Sequence, residues 1–78
     1  MNIPDDAFYG LVTQGMRQRT DETLQRALYH TLRHAILQGT LAASCRLPGS
    51  RVIAGRLHLS RNTVNAALEQ LTLEGYLT

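Results

Sequence analysis

The feature that most limits what this chain can fold into is a pair of helical patterns separated by only three residues. In the first, Ile53, Ala54 and Leu57 fall on one side of a short helix over residues 51–57, with Ser50 as its cap. In the second, Val64, Ala67, Leu68 and Leu71 line one side of a helix over residues 61–73, with Ser60 as N-cap and Gly75 as the stop. His58, Leu59 and Ser60 between them allow a tight break and nothing longer. Ala54 stands where the two helices must approach closely, which calls for a small side chain. Leu59 and Val64 fill the wedge, so these positions are read as core.

The remaining segments are read around that pair. Thr20 is the expected cap of a preceding helix, with Asp21 and Glu22 suited to the positive end of its dipole. Leu24, Leu28, Leu32 and Ile36 form its apolar stripe beside Ala27 and Ala35, and Gly39 ends it. Residues 40–49 connect, with an extended piece at 46–48, because the residue before Pro48 avoids the helical region. Tyr76, Leu77 and Thr78 are β-prone and read as the first residues of a strand. Residues 1–19 form an arm, partly helical, that packs on the domain or on a partner. Phe8, Leu11, Val12 and Met16 can share a face there, although Gly10 and Gly15 weaken a helix. The expected division is therefore an N-terminal arm at 1–19 and one domain at 20–78.

Seventy-eight residues with 44% hydrophobic content make one small core, without room for a catalytic cleft on a scaffold of usual size. A binding module is expected and an enzyme is not. Ser44, Ser50 and Ser60 lack an elbow motif, and no acid stands near in sequence to orient a histidine. The single cysteine, Cys45, cannot form an internal disulfide, which implies a reduced, cytoplasmic setting. An inert thiol is the better reading of Cys45 than a redox sensor beside Arg46. No apolar run reaches membrane-spanning length, and Asp5 and Asp6 argue against a signal peptide. His30 and His34 have the i, i+4 spacing of a metal pair but no third ligand in obvious reach, so surface histidines are the better reading and no metal site is expected.

Charge is informative by its distribution. The net value is only +2, yet no acid occurs between Glu22 and Glu69, and that stretch carries Arg26, Arg33, Arg46, Arg51, Arg56 and Arg61. The chain has no lysine. A segment of one sign attracts polyanions, and arginine makes forked contacts to phosphate and guanine. Two helices joined by a tight turn, the second opening with polar and basic residues, have the layout of a helix-turn-helix. Arg61, Asn62 and Asn65 point away from Val64 and Leu68, where arginine can pair with guanine and asparagine with adenine. Ser60 and Thr63 flank them and can hold phosphate, cap the helix, or do both.

The run LYHTLRHAILQGTL, followed by RLPGSRVIAGRLHLSRNTVNAALEQLTLEGYL, resembles the N-terminal domain of the GntR family of bacterial transcription regulators. The resemblance spans Leu28 to Leu77, and SRNTV with the terminal EGYL is most similar to the MocR branch. It implies a mainly α, winged helix-turn-helix fold with a three-helix core and a truncated wing. Arg51 matches a DNA-contacting position, and Ser60, Arg61, Asn62 and Thr63 match recognition-helix positions. Asn65 stands where some relatives carry arginine. Also implied are double-stranded operator DNA as partner and a homodimer in the full-length protein. Pyridoxal phosphate is implied only for an aminotransferase-like C-terminal domain, with no cofactor in these residues. The chain departs from the family pattern at Ala43-Ser44 (commonly Pro-Gly), at Gly49 (commonly serine) and at His58 (commonly glycine), the last at a position that tends to need a positive φ. The competing reading is a winged-helix domain used for protein contacts, which would not need Arg51, Arg61, Asn62 and Asn65 on one surface.

Overall fold

Local capping chemistry sets where each helix begins, and it differs from the sequence expectation at two of three starts. The computed structural model describes residues 5–41 and 47–77 and contains four helices: α1 (Asp5–Arg17), α2 (Leu24–Leu37), α3 (Ser50–Leu57) and α4 (Arg61–Leu73). α4 starts and stops where its cap and glycine place it. α2 starts later than expected. Thr23, not Thr20, is its N-cap, and the Thr23 hydroxyl oxygen accepts from the Arg26 N–H at 3.2 Å. Residues 18–21 are instead taken up in a turn after α1, in which the Arg19 N–H donates to Met16 at 3.0 Å. Glu22 is then free to meet His30, carboxylate to Nδ1 at 3.0 Å. At α3 the N-cap is Gly49, with no side-chain cap, and Ser50 is already helical. Glycine is tolerated at an N-cap because the position needs an extended backbone more than a side chain.

The C-terminal stops of α2 and α4 are glycines in the left-handed region, Gly39 at φ 80° and Gly75 at φ 85°, as the sequence suggests. After α4 the Gly75 N–H donates to Thr72 and the Tyr76 N–H to Leu71, at 3.1 and 2.9 Å. This paired closure folds the chain back, so Tyr76 and Leu77 lie half-buried against the core instead of in a strand. No strand occurs among the described residues. The Ala43-Ser44 turn, Cys45, Arg46 and Thr78 lie outside them.

The core lies where α4 packs on both α2 and α3 and α1 closes the remaining side. Leu28, Leu32, Ile53, Val64, Ala67 and Leu71 are buried at its centre. Leu24, at the open end of the α2 stripe, is 58% exposed, so that stripe is shorter than its sequence period. The segment read as an arm is helical and packs on the domain. Phe8, Tyr9 and Val12 of α1 are buried members of the core, and the Phe8 and Tyr9 rings meet edge to face at 5.1 Å. Gly15, which weakens the helix locally, has a tertiary reason. A Cβ there would stand 2.4 Å from Cγ2 of Thr31, a buried residue whose hydroxyl donates to the Ala27 carbonyl at 2.6 Å.

Two side-chain links tie the end of α4 back to α2. The Tyr29 hydroxyl donates to the Glu74 carboxylate, which Gln70 Nε2 also reaches at 2.7 Å. Arg33 Nε donates to the Tyr76 hydroxyl at 3.1 Å. The hydrogen bond from Tyr29 holds the Glu74 carboxyl below its usual range, with Gln70 adding to the effect. The same bond raises the Tyr29 phenol above its ordinary value of 10.0.

Two outcomes follow for stability. Gly15→Ala gains helix propensity but overpacks the crossing with Thr31, and should destabilise by about 1–2 kcal/mol. Gly10→Ala, with nothing within 4 Å of the added Cβ, should stabilise by about 0.5–1 kcal/mol. Thermal unfolding of the two variants should therefore move in opposite directions. The Tyr29–Glu74 link should be complete between the ordinary carboxyl and phenol ranges. Its contribution falls away as pH drops through the lowered Glu74 pKa, and again as pH rises through the raised Tyr29 pKa. The melting temperature of Glu74→Gln, compared with wild type across pH, should lack both flanks of that dependence.

Candidate nucleic-acid interface

The turn between α3 and α4 aims the N-terminus of α4. His58 adopts φ 57° and ψ 41°, the single positive-φ residue other than glycine among those described. This bears out the positive φ expected from its place in the turn. Its N–H and that of Leu59 both reach the Ala54 carbonyl, the latter at 3.0 Å. The chain leaves this reversal in an extended conformation at Ser60, whose hydroxyl oxygen accepts from the Thr63 N–H at 3.1 Å. The same hydroxyl donates to Thr63 Oγ1 at 2.8 Å. Ser60 thus caps the helix, with Thr63 as its partner. The Thr63 hydroxyl keeps its own proton to donate outward.

With Val64, Ala67 and Leu71 buried, helical geometry turns Asn62 and Asn65 to solvent, Arg61 flanks the buried stripe in the first turn, and all three are exposed. Arg51, the second residue of α3, is exposed as well. Among the described residues, these four side chains make no hydrogen bond or ion pair. The six expected site residues therefore divide into four unengaged side chains on α3 and α4 and the capping Ser60 with its partner Thr63. Glu69 continues the stripe of Arg61 and Asn65, about 12 Å beyond Arg61 and about 6 Å beyond Asn65 along the axis at 1.5 Å per residue. The first two turns of α4 are thus free of acid, and the helix dipole adds positive potential there.

The structure also sorts the arginines of the acid-free stretch, which the sequence presents alike. The Arg33 guanidinium is bound to Tyr76, and that of Arg56 lies 4.4 Å from the centroid of the Tyr9 ring. Both serve packing. No local pattern predicts either pairing, because the partners are 43 and 47 residues away in sequence. Arg46 is outside the described residues. His30 is engaged by Glu22, and no group of residues suited to a metal ion occurs among those described. No described helix is long and apolar enough to cross a membrane.

Comparison with known proteins gives a consistent result. Residues 24–78 match the family model described as bacterial regulatory proteins, gntR family. The chain is similar to the probable rhizopine catabolism regulatory protein MocR of Rhizobium meliloti, 47% identical over 57 residues, covering 73% of this chain and 12% of that protein. It is also similar to the uncharacterized HTH-type transcriptional regulators YdeL and YisV of Bacillus subtilis (strain 168). Both are 32% identical, over 85% and 77% of this chain and 14% and 12% of theirs. The chain thus spans a small part of the length of these relatives. No solved structure matches significantly. The resemblance read from the sequence, including its MocR-like character, is borne out.

The strained turn yields a direct test. A side chain in the left-handed region costs about 1–2 kcal/mol, and glycine returns part of that as unfolded-state entropy. His58→Gly should therefore stabilise the domain by about 0.5–1 kcal/mol. His58→Val should destabilise it by more than 1 kcal/mol, since a β-branched side chain fits φ 57° poorly. Chemical denaturation of the three proteins should give that order.

Proposed function

Because this chain belongs to the gntR family of bacterial regulatory proteins, we propose that it reads double-stranded operator DNA in a sequence-specific manner through the first two turns of α4. The observation that carries this reading is the exposed, unengaged trio Arg61, Asn62 and Asn65, set on a helix whose other side is buried. A helix presented in this way enters the major groove by its N-terminus. There Arg61 can pair with guanine N7 and O6, and an asparagine with adenine N6 and N7. Arg51 at the start of α3, the outward proton of Thr63 and the open N–H groups of α4 suit flanking phosphates.

In this reading residues 20–78 form the reading head and α1 buttresses it. Two heads in a homodimer bind the half-sites of a two-fold operator, and the full-length protein works in the cytoplasm beside the chromosome. A pyridoxal phosphate domain, the architecture implied by the MocR resemblance, lies elsewhere in the full-length protein. The chain has no lysine with which to form the usual Schiff base, so these residues do not fit that cofactor.

Selection of bound duplexes from a random library at two salt concentrations tests the reading. A defined half-site should be enriched, and Arg61→Ala should weaken binding to it by about 1–3 kcal/mol, roughly 5- to 140-fold. Binding that shows no enrichment, or an Arg61→Ala chain with unchanged affinity, would remove Arg61 as a base reader. Absence of duplex binding at both salts would favour a winged-helix module for protein contacts.

A further inference from the structure

One end of the molecule carries more positive charge than α4 accounts for. Arg17, the last residue of α1, lines an open depression of about 380 Å³ together with Arg56 and His58, over a floor of Met16, Leu57 and Leu59. No acidic side chain lines it. Arg56 is fixed in this rim by its stacking on Tyr9. Arg17 is exposed and makes no hydrogen bond or ion pair among the described residues. Its neighbour Arg19 differs, because Nη1 of Arg19 donates to the Gly15 carbonyl at 3.0 Å and so closes the end of α1. Two arginines two residues apart therefore have different tasks, one internal and one facing outward.

The place of this rim matters. His58 and Leu59 lead straight into Ser60 and Arg61. Three peptide units separate His58 from Arg61, at most about 11 Å. The major groove of a duplex is about 12 Å wide. When α4 enters the groove, a cation beside His58 stands within one groove width of the α4 N-terminus, in reach of the sugar-phosphate backbone that borders the groove. Neither Arg17 nor the rest of α1 lies in the segment that matches the family.

We propose that Arg17 is a phosphate contact on the flank of the groove that α4 enters, supplied by α1, with Arg56 as a fixed second cation in the same rim. The proposal rests on the DNA-reading function above and names a contact which that function does not require. The occupant is the phosphate backbone of duplex DNA. The contact carries no base information, so it strengthens selected and random duplexes alike.

Equilibrium binding of the whole chain to one selected and one random duplex, measured across salt concentrations, tests the contact. Each phosphate contact contributes about 0.9 to the slope of log affinity against log salt. Arg17→Gln should lower that slope by about one unit and weaken both duplexes several-fold, while Arg17→Lys should keep the wild-type slope. Arg26→Gln makes the same charge change in the depression between α2 and α4, which Glu74 also lines, and should leave the slope unchanged. A wild-type slope for Arg17→Gln overturns the proposal, as does an equal loss for Arg26→Gln, which would mark a general charge effect. If Arg61→Ala abolishes base preference while Arg17→Gln is silent, the reading function stands and only this contact falls. If the unaltered chain shows no salt-dependent duplex binding, both fall.

Discussion

α4 packs against both α2 and α3, and its buried side joins the two halves of the core. Val64, Ala67 and Leu71 are fully buried on that side of the helix. Burying such a side chain contributes about 1.5–3 kcal/mol for the larger residues, a large fraction of the stability of a domain this small. The same burial decides which residues face outward. A helix cannot turn Val64, Ala67 and Leu71 inward without turning Asn62 and Asn65 out, and Arg61 flanks the buried stripe in the first turn, so stability and function are set by one rotation about one axis. The closed cap at Ser60 and the reversal at His58 then fix where the helix begins.

Much of this is legible in the sequence because several local signals agree at α4: a serine cap, an apolar period and a terminal glycine. Where two signals of the same kind compete, the sequence is ambiguous. Thr20 and Thr23 are equally good caps in isolation, and what separates them is the turn that follows α1 together with the use of Glu22 by His30. Gly49 and Ser50 present the same difficulty at α3. Leu24 belongs to a helical stripe by period, yet it lies where the core has already ended.

Tertiary pairings are the part that local pattern does not carry. Gly15 reads as a helix breaker until the Thr31 methyl is seen to need its space. Arg33, Arg51, Arg56 and Arg61 look equivalent along the chain, and only the positions of Tyr76 and Tyr9 divide the arginines held by a ring from those left unengaged. The candidate site is legible to the extent that it is the complement of the core stripe. That Arg17 and His58 line one depression is not legible, because a helix far away in sequence brings Arg17 there.

The links from Tyr29 to Glu74 and from Arg33 to Tyr76 span 45 and 43 residues. During synthesis from the N-terminus, α2 is made long before either partner exists. The aromatic side chains of α1 are likewise made before Arg56 can lie over one of them. A nascent chain halted before Glu74 would hold its helices without the two clasps that tie the last to the second. The two clasps can therefore close only after the turn at Gly75 has left the ribosome.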